Sequence, residues 1–176
     1  MAQQGQTRSQ GRLRRLLRHR LWDDADARRV LPAAALARLS ARVTESELRH
    51  SGEIRLCVEA SLPLSYLWRG AHARQRAVTL FGKLRVWDTE HNNGVLIYLL
   101  LAEHAIEIVA DRGLNQRVSA VQWQTVIDGL RQSLQAGQFE QGLVQAVQSV
   151  EQLLAQHFPP GEVPPRNELP DAVVVL

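Results

Sequence analysis

The sequence predicts an α/β fold, a three-layer α/β/α sandwich around a small mixed β-sheet. Residues 53–60 alternate apolar and polar side chains, which indicates a strand, and residues 95–101 form the continuous apolar run typical of a strand covered on both faces. A helical pattern at residues 71–84 lies between them, so the three segments form a βαβ unit with parallel strands. Two C-terminal helical patterns supply further covering layers.

Composition limits the class of protein. The chain has 176 residues, enough for one domain with its own core, and its 45% hydrophobic and 22% charged residues are typical of a soluble globular protein. The longest apolar run is far shorter than the ~20 residues that span a bilayer, and no apolar segment follows the basic N-terminus, so we expect neither a membrane anchor nor a signal peptide. The single cysteine, Cys57, excludes an intrachain disulfide and a thiolate zinc cluster. A cytoplasmic location, with peripheral membrane attachment as an option, fits these features.

The chain divides into four segments by composition. We expect residues 1–11 to be disordered, 12–30 to form a basic amphipathic helical segment, 31–158 to form the α/β/α domain, and 159–176 to form a proline-rich extended tail. The last residues, 173–176, either add an edge strand, dock on the core or remain a loose end. Residues 1–50 hold eleven arginines and five acidic residues, so the net charge of +3 arises at the N-terminus.

The basic segment has two interpretations. Its leucines recur at helical spacing with arginines around them, which fits a helix whose leucines pack on the domain while its arginines stay in water. The same pattern fits a helix that contacts a protein partner or an anionic membrane surface through Arg14, Arg15 and Arg18. We expect no nucleic-acid partner.

Several elements follow from local patterns. Pro32 suits the first turn of a helix that runs to about Arg49, and Pro63 indicates a loop over residues 61–70. Ser119 caps a helix that ends near Gln135, and a last helix spans residues 139–157.

A predicted hairpin sets the geometry of the candidate site. Strands at residues 95–101 and 105–110 flank a short polar break, and a turn centred on Glu103 places Asp111 opposite Val95. The polar residues 88–93 before the first strand should then neighbour those after the second strand. His104 should lie at the opposite end.

The polar residues at this edge suit a hard divalent cation. Asp88, Asn93 and Asp111 are candidate ligands for Mg²⁺ or Ca²⁺, because their oxygen atoms are the ligands that these ions prefer. Arg112 and Arg117 are candidate phosphate-binding residues, and Asp111 with Arg112 would be catalytic in phosphoester hydrolysis. The alternative is structural: Asn-Gly is a turn signal in any protein, and Asp111 with Arg112 is a surface ion pair.

The motifs resemble a known family. The sequence NNGVLIYLLL, a short turn and second strand, RGL, and a late helix with FEQGLVQAV look like the TPM domain, over about residues 31–158. The resemblance implies an α/β/α sandwich, and divalent-metal binding or acid phosphatase activity in some members. Where many members carry a glutamate and a Gly-x-Gly-Leu-Glu motif, this chain has Val109, Asp111 and Asn115. It resembles a short branch without signal peptide or membrane anchor.

Two functions follow as expectations. One is an interaction or accessory module at a membrane-protein or envelope-related complex, with a divalent cation as an optional ligand. The other is a metal-dependent acid phosphatase that acts on phosphoesters.

Overall fold

A computed structural model of the chain describes residues 14–161 and 167–176, and it confirms the α/β/α sandwich. The predicted disorder of residues 1–11 lies outside the described residues. Four strands form one mixed sheet in the order β3-β2-β1-β4, with β2 parallel to β1 and antiparallel to β3. The strands are β1 (Ile54–Glu59), β2 (Val95–Leu100), β3 (Ala105–Ala110) and β4 (Val174–Val175).

Helices surround this sheet in both covering layers. In chain order they are α1 (residues 14–20), α2 (Asp24–Val30), α3 (Ala33–Glu47), α4 (Leu64–Trp68), α5 (Ala73–Lys83), α6 (Arg112–Asn115), α7 (Ala120–Gln135) and α8 (Phe139–His157). Side chains cap two of these helices: the Asp23 carboxylate accepts N–H groups at the start of α2 and, as predicted, the Ser119 hydroxyl accepts the N–H of Gln122 in α7.

The two faces of the sheet pack against different helices. Ile54, Leu56 and Val58 of β1 belong to the core that includes α3, α7 and α8, whereas Cys57 belongs to the smaller core that includes α5. Every residue of β1 and β2 is buried, because these strands are covered on both faces. Burial also raises the pKa of the Cys57 thiol to about 12, which removes it as a reactive nucleophile.

The prediction of a loop over residues 61–70 was wrong in part. Pro63 caps the short helix α4 instead of only breaking structure, and its carbonyl accepts the N–H of Tyr66 at 2.8 Å. Proline has no N–H to donate and its φ of −55° suits a helix start, so it begins this turn at no cost.

The hairpin register differs from the prediction by one residue. Val95 pairs with Ala110, so Asp111 faces Gly94 and does not face Val95. The shift arises in the turn, where residues Leu101–Glu103 form a 3₁₀ helix and His104 adopts a left-handed conformation with φ of 49°. His104 lies at the far end of the hairpin, as predicted.

The C-terminal residues add an edge strand. β4 pairs in parallel with β1, and Leu176 exchanges backbone hydrogen bonds with Val58 and Ala60 at 3.0 and 2.8 Å. Of the three options that the sequence leaves open for this segment, the structure adopts the edge strand, which covers the free edge of β1.

Candidate functional site

The polar segments at the two ends of the hairpin meet at one corner of the sheet. The N–H of Asp111 donates to the carbonyl of Gly94 at 2.9 Å, and the N–H of Gly113 donates to the carbonyl of Asn92 at 3.0 Å. The segment before β2 and the segment after β3 therefore form one continuous surface.

Two glycines permit this close packing. A Cβ atom at Gly113 would lie 2.5 Å from the carbonyl oxygen of Asn92, and one at Gly94 would lie 2.0 Å from the carbonyl oxygen of Val86. Both contacts are with backbone, which cannot move aside as a flexible side chain does. The glycines of the Asn-Gly and Arg-Gly sequences thus serve backbone packing.

Asp111 caps the short helix α6. Its Oδ1 accepts the N–H of Arg112 at 2.6 Å, while its Oδ2 is buried and has no hydrogen-bond partner among the residues that the structure describes. Capping is thus the role that the contacts of Asp111 show directly.

Asn93 faces away from Asp111. Its Nδ2 donates to the carbonyl of Ser51 at 2.9 Å, and its side chain is fully buried. Asp111 stands opposite Gly94, and neighbouring residues of a strand point to opposite faces of the sheet. Asn93, which precedes Gly94, therefore lies on the other face from the Asp111 carboxylate.

Asp88 is also engaged elsewhere. Its carboxylate pairs with Arg85 three residues before it, and 42% of its side-chain surface is exposed. Across residues 14–161 and 167–176 there is no group of three histidine, cysteine or acidic side chains placed to hold a metal ion. Asn93 Oδ1 and Asp111 Oδ2 are both buried without a hydrogen-bond partner among the described residues, and a cation site formed by Asp88, Asn93 and Asp111 stays a prediction.

The two candidate phosphate-binding arginines, Arg112 and Arg117, contact different parts of the protein. Arg112 donates from Nε and Nη2 to the amide oxygen of Asn92, at 3.3 Å each. Arg117 donates to the carbonyl of His157 at 2.7 Å and stacks over the ring of Phe158, which stabilises the end of α8. A joint phosphate site of the two arginines stays a prediction.

The N-terminal helix docks on the domain through polar side chains. Arg15 donates to the Glu103 carboxylate at 2.5 Å and to the carbonyl of Ala71 at 2.6 Å. Arg15, predicted with Arg14 and Arg18 to contact a membrane or partner, therefore contacts the domain itself, and the interpretation in which leucines pack on the domain while the arginines stay in water was wrong in part. The reason is the hairpin turn, which presents a carboxylate to this helix.

His19 completes this contact. Its Nδ1 accepts the N–H of Leu62 at 3.0 Å, so the proton of the neutral ring is on Nε2, which lies 2.9 Å from the Glu103 carboxylate. Burial acts to raise the pKa of Glu103, but the hydrogen bonds from His19 and Arg15 prevail and hold it at about 2. Glu103 is thus a charged anchor for α1.

Two leucines of α1 remain in water. Leu17 is 56% exposed, and Leu21, just after the helix, is 78% exposed. Beside α1 lies α4, across a cleft of about 280 Å³, and α4 exposes 74% of Trp68 and 57% of Leu64. We call the exposed residues Arg14, Leu17, Arg18, Leu21, Leu64, Trp68 and Arg69 the α1–α4 face.

The sequence predicted only the α1 part of the α1–α4 face. The arginine-leucine pattern of α1 indicates it, but Trp68 lies in a segment that was predicted as a loop. No described helix is long and apolar enough to span a membrane.

Buried charges form a second feature that the sequence analysis missed. Arg76 donates twice to Glu59, with the Nη2 bond at 2.6 Å, and the Tyr98 hydroxyl donates to the other Glu59 oxygen at 2.6 Å. The strict alternation of β1 gave a signal only in that it placed Glu59 on the same face as Cys57. The polar groups of Arg76, Glu59 and Tyr98 pair with one another inside the domain, so we assign this triad a structural role.

Comparison with known proteins agrees with this fold. The TPM domain family matches residues 25–153. The NMR structure of BA42 protein from the psychrophilic bacterium Bizionia argentinensis superposes with a TM-score of 0.74 at 28% sequence identity, covering 83% of this chain and 95% of that protein. A search of curated proteins gave no match. The match of the family to most of the chain, with the shared fold, shows that this protein belongs to the TPM domain family.

Proposed function

We propose that this TPM domain is an interaction module that attaches to an anionic membrane surface through the α1–α4 face. The observation that carries the proposal is the exposure of Leu17, Leu21 and Trp68 beside arginines. Leu17 and Leu21 lie one helical turn apart at the end of α1, and Trp68 lies on α4 across the cleft; large exposed apolar side chains of this kind are candidates for an interaction site.

Helix geometry puts the arginines and leucines on one side of α1. Leu17 and Leu21 are four residues apart, so they lie on the same face, and Arg14 and Arg18 fall within the same arc. Arg15 and His19 project from the other side, into the contact with Glu103. The docked face therefore fixes which side of α1 is presented to solvent.

The chemistry of this face matches lipid headgroups above acyl chains. Tryptophan favours the membrane interface, and each arginine near an anionic leaflet contributes about 1 kcal/mol. Burial of one leucine side chain contributes about 1.5–3 kcal/mol. A few such residues together suffice for reversible peripheral attachment.

Co-sedimentation with vesicles tests the proposal. The full chain should bind vesicles of phosphatidylcholine that contain about 30% phosphatidylglycerol, which present an anionic surface. It should bind vesicles of pure phosphatidylcholine much less. The double variant Leu17→Ser, Leu21→Ser should lose most binding. Leu48→Ser is the matched control, because Leu48 is 72% exposed but lies at the end of α3.

Two outcomes would contradict the proposal. One is the absence of binding to anionic vesicles at low salt, and the other is an equal loss of binding in the Leu48→Ser control. Binding to native membranes that disappears after protease treatment of those membranes would assign the α1–α4 face to a membrane protein instead.

Phosphoester hydrolysis is the weaker alternative. It is supported by the unpartnered Oδ2 of Asp111 beside Arg112, whereas the described residues contain no group of three histidine, cysteine or acidic side chains placed to hold an ion. Hydrolysis of p-nitrophenyl phosphate with added Mg²⁺ or Ca²⁺ measures it directly. Turnover that Asp111→Asn abolishes, in a variant with unchanged circular dichroism, would favour the phosphatase.

A further inference from the structure

We propose that the outer edge of β3 binds the carboxyl terminus of an extended peptide, in a groove between β3 and α7. The groove has a volume of about 200 Å³. The residues that line it are Arg74, Ile108, Ala110, Asn115, Ala120, Trp123, Gln124 and Ile127.

The register identifies the backbone groups that face this groove. Because Asp111 and Gly94 form a hydrogen-bonded pair, alternation along the antiparallel ladder assigns Val109, Glu107 and Ala105 to bonds with β2. The N–H and C=O groups of Ile106, Ile108 and Ala110 then point outward. β3 is the last strand of the sheet on this side.

Two of the outward carbonyls are already occupied. Arg74 donates to the carbonyl of Ile108 at 2.6 Å, and Asn115 donates to the carbonyl of Ala110 at 2.7 Å. The N–H groups of Ile108 and Ala110 have no acceptor among the described residues. The edge therefore presents donors and few acceptors, which disfavours addition of a strand along its full length.

Trp123, one of the residues that line this groove, carries an unpaired side-chain donor. The indole Nε1 of Trp123 is buried and has no hydrogen-bond partner among residues 14–161 and 167–176. A buried donor without an acceptor costs about 1–3 kcal/mol, so a ligand that supplies an acceptor here gains that free energy. Arg74 adds a positive charge to the groove, and its guanidinium forms an ion pair with the Glu107 carboxylate at 3.6 Å.

This donor set selects the occupant. A carboxylate brings acceptors only, so it suits Trp123 Nε1, Arg74 and the N–H of Ala110 together. The apolar side chains of Ile108 and Ile127 favour an aliphatic terminal residue beside that carboxylate. The preceding part of an extended peptide that runs parallel to β3 would supply one further carbonyl to the N–H of Ile108, the next unpaired donor of this edge, so only a short terminal segment would pair with the strand.

NMR spectroscopy of the full chain tests the proposal at the atoms concerned. The probe is acetyl-Ala-Val-Leu with a free carboxylate, and its C-terminal amide is the matched control. We expect the acid to shift the N–H signals of Ile108 and Ala110 and the indole signal of Trp123, with the other three tryptophan indoles unmoved. The amide should bind about tenfold more weakly, since it lacks the charged acceptor.

Two variants extend the test. Trp123→Phe keeps the ring and removes the donor, and it should weaken binding of the acid about tenfold. Arg131→Gln is the control, because Arg131 lies on the same helix and pairs with Asp128. Equal affinity for acid and amide, shifts that map to β4, or no shift at millimolar acid would each overturn the proposal.

Discussion

His19 Nε2 lies 2.9 Å from the Glu103 carboxylate, although 84 positions separate the two residues in the sequence. Glu103 sits in the turn between β2 and β3, and His19 sits in α1. This contact fixes α1 to the far end of the hairpin and so determines which residues of α1 face solvent.

Glu103→Ala should loosen α1. Removal of the carboxylate leaves His19 Nε2 without its acceptor and Arg15 with only the carbonyl of Ala71, so we expect the free energy of unfolding to fall by about 1–3 kcal/mol. Hydrogen exchange of the Leu62 N–H, which donates to His19, should accelerate. Glu107→Ala is the control, since the ion pair of Glu107 among the described residues is with Arg74, whose side chain is 54% exposed. Unchanged exchange at Leu62 would show that α1 is held by other contacts.

The contribution of Glu103 should depend on acid pH. The pKa of Glu103 is about 2 in the folded protein, below the 4.5 of an unperturbed glutamate, so its stabilisation is complete above about pH 4.5 and is lost as pH falls toward 2. The difference in unfolding free energy between wild type and Glu103→Ala should therefore shrink across this interval. Urea unfolding of both proteins at pH 6, 4 and 3 measures it. A constant difference would contradict the prediction.

Gly94→Ala should disrupt the corner where the hairpin ends meet. The new Cβ would lie 2.0 Å from the Val86 carbonyl oxygen, and we expect a loss of roughly 2–4 kcal/mol because backbone must move. Gly82→Ala is the control, since its Cβ would meet nothing within 4 Å and its helical site in α5 should gain about 0.5–1 kcal/mol. Thermal unfolding of both variants gives the comparison. Equal stability of the two would refute the packing role of Gly94.

Glu47 should make the protein less stable as pH rises. Burial, together with the nearby carboxylates of Glu53 and Asp171, raises the pKa of Glu47 to about 9 despite its hydrogen bond from the Ile54 N–H. The folded state then holds a proton that the unfolded state loses above about pH 4.5, so stability declines from there toward pH 9.

Glu47→Gln isolates this effect, because the amide still accepts the Ile54 N–H but does not titrate. Relative to wild type, the variant should gain about 1–2 kcal/mol in unfolding free energy between pH 5 and pH 9. Glu45→Gln on the same helix is the control, as its side chain is 57% exposed. Parallel pH profiles for wild type and Glu47→Gln would contradict the raised pKa.

Periodicity was enough to predict most elements of the fold. Alternation at residues 53–60 and the apolar run at 95–101 predicted β1 and β2, and the cap at Ser119 is where the sequence places it. The short helices α4 and α6 were missed, because a single turn carries too little periodic signal beside Pro63 and Gly113.

The candidate site was predicted less well, for a reason that lies in the pleat of the strands. The sequence brought Asn93 and Asp111 to one corner, which the hairpin confirms. A register that differs by one residue, and the alternation of faces, then directed their side chains apart. The spacing of residues along the chain does not predict on which face of the sheet a side chain lies, because one residue more or less in the turn reverses the faces.

The sequence by itself determined the layers, the parallel βαβ unit and the meeting of the two hairpin ends, because local periodicity and short connections leave few alternatives. Only the tertiary structure decided which side of α1 faces water and which donors of β3 stay unpaired. Those outcomes depend on Glu103 and Arg74, whose partners lie far away in sequence or across an edge. Such pairings are fixed by packing in three dimensions, and no local pattern encodes them.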